Sequence, residues 1–315
     1  MSNLERQPLL YTQSSSTSYP KSSFSDRLAR FRHIYRQPLA EFIGTAILVF
    51  VGDGVVAQYL LSRGLNGSWL GINIAWAGGV MLGSLTAGSI SGAHLNPAVS
   101  LCFALFTRNG QRFPLRKLPG YILSQMLGGF AGAALVYAGY SHQIDVYEHG
   151  SRTVPGGEVL SNGLGPTAGI FCTYPLPNST LWSNFFSEFL ASALLMFGIF
   201  VITSKRNEVL ALSGHFAVFI LLILIGTSLG YQTGYGINAA RDLAPRIFTY
   251  FVYGSEVFTA KNINGNSYWW IPVVAPFFGT IAGASVFTLF IGEPDGVAEG
   301  MMGGLPDDQD QPDGF

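Results

Sequence analysis

Two short polar stretches hold the residues able to do chemistry in this mostly apolar chain. Residues 91–100 read SGAHLNPAVS, and residues 233–242 read TGYGINAARD. Asn96 before Pro97 marks a helix start, because Asn caps well and Pro fits the first helical position, where no N–H is needed. Asn238 before Ala239 marks a second start, with Ala98 and Ala240 continuing the two first turns. A helix start presents unpaired N–H donors and about half a positive charge. The Asn96 and Asn238 amides add side-chain donors. The unwound backbone ahead of them offers carbonyl acceptors at Gly92, Ala93, His94 and Leu95, and at Gly234, Gly236 and Ile237. Such a set exchanges hydrogen bonds with a neutral hydroxylated molecule at little net cost, while a cation meets a positive field and a desolvation penalty. Arg241, three residues after Asn238, adds a fork of donors.

Positioning these groups takes two broken helices. The apolar run 98–106 and the half-helix expected at 239–251 are far shorter than the roughly 20 residues a crossing needs. Irregular backbone among membrane spans is tolerated only where protein buries it or water reaches it. Hydrophobic residues make up 49% of the chain and charged residues 11%, against a usual charged share of about 25%, which is the composition of an integral membrane protein. Six spans are expected at about 39–61, 69–88, 114–140, 183–204, 211–231 and 268–291. Glu41-Phe42 opens the first and Glu188-Phe189 the fourth, so two halves repeat. Three spans per half insert the halves upside-down to each other, which brings their broken helices together at mid-membrane. The glycine pairs Gly79/Gly83, Gly128/Gly132, Gly226/Gly230 and Gly279/Gly283 give helix faces that permit close crossing. Arginines at 27, 30, 32, 36, 108, 112 and 116, with Lys117, Lys205 and Arg206, fall on one side, which orients that side to the cytosol. The sequons at Asn66 and Asn178 fall on the other.

SGAHLNPAV, with a partner ending Asn-Ala-Ala-Arg-Asp, resembles the paired Asn-Pro-Ala boxes of the aquaporin (major intrinsic protein) family. The Asp after the Arg resembles the glycerol-conducting branch, and the resemblance covers about 38–292. It implies an all-α membrane fold of six transmembrane helices plus two half-helices in an inverted repeat. It also implies a homotetramer in the lipid bilayer that passes glycerol, other small neutral polyols and water, with hydrogen peroxide as a further candidate solute. The implied filter is Trp76, Gly226, Tyr235 and Arg241: the aromatics give an apolar corner, Arg a hydroxyl-binding side, and Gly a wider hole. Glu41 and Glu188 are implied to accept bonds from the backbone of the two unwound loops, and Asp242 to brace its own loop and Arg241. Residues 168–177 (AGIFCTYPLP) resemble an outer loop of the same branch, carrying no chemistry. Ala239 departs from the pattern, standing where Pro is usual, and implies a slightly less rigid first turn.

The remaining features bound the reading. Residues 1–37, Ser-rich, are expected to be a disordered cytosolic tail, 38–292 the channel with a long outer loop at 141–182, and 293–315 an acidic cytosolic tail. Glu5, Leu9 and Leu10 resemble an acidic dileucine sorting signal, which makes a vacuolar or endosomal membrane the alternative to the plasma membrane. The two cysteines, Cys102 and Cys172, are expected to stay unpaired. A net charge of −1 argues against a nucleic-acid partner. No nucleophile–base pair, phosphate loop or metal spacing appears, so neither an enzyme nor a cofactor is expected. A water- or peroxide-selective pore remains an alternative, as does a proton-coupled transporter working through Glu41, Glu188 or Asp53. Asp53 either lines the path or binds a neighbouring amide. His215, near the cytosolic mouth, is a bystander or a pH sensor.

Overall fold

A computed structural model describes residues 24–106, 112–157, 165–204, 207, 214–261 and 265–292. Glu5, Leu9, Leu10, Arg108, Lys205, Arg206 and the acidic segment 306–315 lie outside the described residues. The chain divides into two units, Met1–Tyr35 and Arg36–Phe315.

In the first unit, α1 spans Phe24–Ile34. This corrects the expectation of an unstructured tail as far as residue 37. The segment has no consecutive apolar run, but its large apolar residues recur at helical spacing, a pattern that run-counting misses.

In the second unit, the long helices are α2 (Arg36–Leu61), α3 (Trp69–Ser91), α5 (Leu118–Glu148), α6 (Leu181–Ile202) and α10 (Ile271–Phe290). Among the described residues, these five are long and apolar enough to cross a membrane. The fifth expected span, 211–231, is described as α7 (Gly214–Leu229), an apolar helix of 16 residues that follows the undescribed 208–213. Caps fix several starts: the Ser68 hydroxyl accepts from Gly71 N, and Thr180 and Ser183 form a reciprocal capping box. Both sequon asparagines, Asn66 and Asn178, lie exposed just ahead of these caps. Helix α5 runs eight residues past its expected end at 140. Its last residue, buried Glu148, accepts bonds from Thr153 N (3.3 Å) and Thr167 N (2.9 Å), which hold the outer loop against the helix end.

The short helices are α4 (Pro97–Leu105), α8 (Ala239–Tyr253) and α9 (Glu256–Thr259). Packing repeats between the halves. Helix α2 lies on α3 and α5 as α6 lies on α7 and α10, and each half-helix packs on the last long helix of the other half, α4 on α10 and α8 on α5. Glycine explains how closely these pairs approach. A methyl group at Gly83 would stand 2.5 Å from the carbonyl oxygen of Gly44, and one at Gly128 or Gly283 would overlap the carbonyl of Phe42 or Ala193. Three of the four glycine pairs therefore face backbone, as close crossing requires. Gly226/Gly230 differs: besides the carbonyl of Gly226 itself, the nearest neighbours there are the side chains of Asn73, Tyr235 and Trp69.

Candidate functional site

The two helix starts are near-copies. Asn96 caps α4 at φ −154°, ψ 123°, and Asn238 caps α8 at φ −152°, ψ 111°. Each side-chain oxygen turns back to its own helix: Asn96 Oδ1 accepts from Ala98 N at 2.9 Å, and Asn238 Oδ1 from Ala240 N at 2.9 Å and Arg241 N at 3.3 Å. The cap angles match, and α8 starts at Ala239 directly after its cap as α4 starts at Pro97. Ala is a strong helix former, so the half-helix forms without the ring. Each amide nitrogen then reaches into the other half. Asn96 Nδ2 donates to Ile237 O at 2.9 Å, and Asn238 Nδ2 donates to Leu95 O at 2.8 Å. An amide NH2 carries two hydrogens, so this cross-brace uses one from each asparagine and leaves one.

The loops that feed the half-helices are wound alike. Gly92, Ala93 and Leu95 have φ of 88°, 50° and 51°, and their counterparts Gly234, Tyr235 and Ile237 have 74°, 41° and 40°. Such values are uncommon outside glycine, and for the β-branched Ile237 they are a real outlier. Strain of this kind persists only where the surroundings over-determine it, and two buried carboxylates do so here. Glu41 accepts from His94 N (2.9 Å) and Leu95 N (2.7 Å), and Glu188 from Gly236 N (2.8 Å) and Ile237 N (2.7 Å). Glu41 is held in turn by Ser91 Oγ (2.6 Å) and Gln125 Nε2 (2.8 Å). Sequence reasoning missed Gln125, which also reaches Ser100 Oγ at 2.9 Å. A single glutamine inside an apolar span was its only signal.

Asp242 also braces a loop, but not through Arg241. Its carboxylate accepts from Thr173 N (2.7 Å) and from Arg246 Nε (3.1 Å) and Nη2 (3.0 Å). Arg246 is 1% exposed, donates further to Thr173 O and Val257 O, and lies 4.8 Å from the Tyr174 ring centre. The outer-loop segment expected to carry no chemistry therefore locks onto α8. Both cysteines are free and buried.

A cavity of about 480 Å³ runs along the joined loops. Its polar wall includes Gly92, Ala93, His94, Leu95, Asn96, Gly236, Ile237 and Asn238; its apolar wall includes Leu48, Val80, Val99, Leu195 and Leu222. Trp76, Tyr235 and Arg241 line it, and so does His215, whose Nδ1 lies 2.9 Å from Ser84 Oγ. The Arg241 guanidinium sits over the Trp76 ring, 4.0 Å from its centre, and Nη1 is buried without a hydrogen-bond partner.

Three expected site residues stand elsewhere. Gly234 does not line the cavity, and neither does Gly226. A side chain at Gly226 would strike the Asn73 amide and the Tyr235 ring at 2.8 Å, so this glycine makes room for Tyr235 and is not itself a wall. Gly52 does the same for Trp76, whose ring fills the space a methyl there would need. Asp53 neither lines the cavity nor binds an amide: it is fully buried, both its oxygens lack hydrogen-bond partners, and Arg241 and Asp242 lie within electrostatic reach.

Residues 29–287 match the major intrinsic protein family. The chain belongs to that family. Its members are membrane channels for water and small solutes, not enzymes. The chain is 44% identical over 265 residues to aquaglyceroporin-9 of Botryotinia fuckeliana, covering 84% of this chain but only 55% of that protein. It is 43% identical over 271 residues to an aquaporin of Laccaria bicolor, covering 85% and 96% of the two chains. The solved aquaglyceroporin from Plasmodium falciparum superposes with a TM-score of 0.68 at 29% identity, covering 81% of this chain and 96% of that one. With that likeness, the helices and broken helices above form the aquaporin fold, and the major intrinsic protein described here is an integral membrane channel.

Proposed function

We propose that this channel conducts glycerol, other small neutral polyols and water, and excludes ions and protons. The observation that carries the proposal is the composition of the cavity at Arg241. Trp76 and Tyr235 supply carbon surface, each backed by a glycine, while Arg241 on the same lining supplies guanidinium donors. A polyol presents carbon on one side and hydroxyls on the other, so it fits such a lining with its oxygens toward Arg241. Farther in, the spare amide hydrogens of Asn96 and Asn238 meet the same oxygens one at a time, and the carbonyls of the strained loops accept their hydrogens. Two helix N-termini and a guanidinium along one path present a positive field that turns cations back. Relatives named as aquaglyceroporins support the polyol reading. The glutamates accept backbone N–H bonds and Asp53 stands off the cavity, which argues against a proton-coupled carrier.

The same reading takes 38–292 as the channel domain, both termini as cytosolic, and four copies as the assembly. The test is the swelling of vesicles holding purified protein in gradients of glycerol and of longer polyols. Fast glycerol entry that falls with polyol length supports the proposal. Water entry without glycerol entry identifies a narrow water pore instead.

A further inference from the structure

Helix α1 has no role in the pore and no evident reason to be folded. It is 11 residues long and buries none of them, while isolated helices below about 12–15 residues are marginal in water. Something must cover its apolar side. At 100° per residue, Phe24, Leu28, Phe31 and Tyr35 project within a narrow stripe, and all four are exposed, Phe24 at 81%. Phe31 and Tyr35 touch along it, their ring centres 4.9 Å apart. Arg27 falls on one flank of the stripe and Arg32 on the other, with Arg30 and His33 behind, against the single acid Asp26.

We propose that α1 lies in the interface of an anionic membrane leaflet, its stripe among the acyl chains and its arginines on the headgroup phosphates and carboxylates. Three observations single out lipid as the occupant. The charge is complementary, since arginines beside an apolar stripe can reach outward from buried stems to anionic headgroups. The stripe is large and aromatic, while the acidic segment 306–315 of this chain offers a single large apolar residue, Phe315, to cover it. Finally, only Tyr35 separates α1 from α2, which is long and apolar enough to cross the bilayer. At 1.5 Å per residue the far end of α1 cannot lie more than about 17 Å from that junction. The helix is thus tethered where headgroups are.

The test uses the full chain in nanodiscs, which expose both leaflets, with a polarity-sensitive bimane on Leu28→Cys or on Arg30→Cys. The native thiols are buried, and the unsubstituted chain supplies the blank. In phosphatidylcholine with phosphatidylserine, the Leu28 label should shift blue and lose quenching by iodide, while the Arg30 label stays quenched. Each arginine neutralised to Gln should shift the bound-to-free ratio about fivefold toward free, as expected for about 1 kcal/mol per basic residue at such a surface. In phosphatidylcholine alone, or at high salt, shielding of the Leu28 label should fall. Equal quenching of both labels in the anionic discs would overturn the proposal. So would shielding at Leu28 that persists unchanged in phosphatidylcholine or detergent, because the stripe would then be docked on protein.

Discussion

Arg241 is held by its neighbours in an unusual way. Its backbone N–H belongs to the Asn238 cap, its charge rests on the Trp76 face, and its Nη1 stays unpartnered. A cation over an indole gains roughly 0.5–2 kcal/mol, enough to fix the guanidinium without consuming its donors. Arg241→Val should open a leak: proton or sodium entry into vesicles rises while glycerol entry persists. An unchanged zero leak would remove Arg241 from the constriction. Gly226 makes the complementary prediction. Gly226→Val drives a side chain into Asn73 and Tyr235, so glycerol flux should fall more than water flux, with a stability loss of about 1–3 kcal/mol from overpacking. Equal losses would mean that Tyr235 does not select. Cys172 gives a chemical check on the outer loop. Burial pushes its thiol up to about 11, so near neutral pH it is a protonated, enclosed thiol. Maleimide should label it only after unfolding, and rapid labelling of the folded channel would contradict the packing of that loop. The positions of Asn96, Asn238 and Arg241 were legible in the sequence because each is polar in an apolar setting at a helix start. Gly52 was not, since a glycine that yields space to a side chain distant in sequence leaves no local pattern, and the position of Gly226 came through the resemblance while its role beside Asn73 and Tyr235 did not.

The two half-helices depend on carboxylates that their own segments do not contain. Glu188 takes two backbone N–H groups of the loop before α8, and Glu41 takes two before α4. Replacing Glu188 by Gln leaves at least one buried N–H facing another donor, at a cost of about 1–3 kcal/mol, and frees a loop strained at Tyr235 and Ile237. The thermal midpoint and the glycerol flux should fall together; an unaltered midpoint would show that the brace is dispensable. The Asp242–Arg246 pair should matter more. Asp242→Asn strands a buried guanidinium, which typically costs about 3–5 kcal/mol, and also loosens Thr173 and with it the outer loop. Helix positions could be read from apolar run lengths and the caps at Ser68 and Thr180, and the half-helices from their shortness. The extension of α5 to Glu148 could not, because it depends on bonds to Thr153 and Thr167 farther along the chain. Helix α1 was missed for a different reason: its stripe is discontinuous in sequence and its stability is not intrinsic.

Taken together, the second unit is two inverted halves sewn at one point. Each half caps its own helix with an asparagine oxygen and gives the amide nitrogen to the other half, at 2.9 and 2.8 Å. The halves also cross-pack, α4 on α10 and α8 on α5, so the meeting point is set by both chain segments. The repeat itself was visible in the matching Glu-Phe openings and the paired boxes. The cross-brace was not, because it joins groups more than a hundred residues apart in sequence. An arrangement of fixed donors and acceptors around an open cavity should pass solute without a conformational cycle. The most direct test follows glycerol entry and electrical current together on one preparation of reconstituted protein, across a range of pH and glycerol concentration. The account predicts glycerol flux that rises linearly with concentration, is indifferent to pH, and carries no current above that of bare lipid. Flux that saturates, draws protons inward with glycerol or carries current would contradict it.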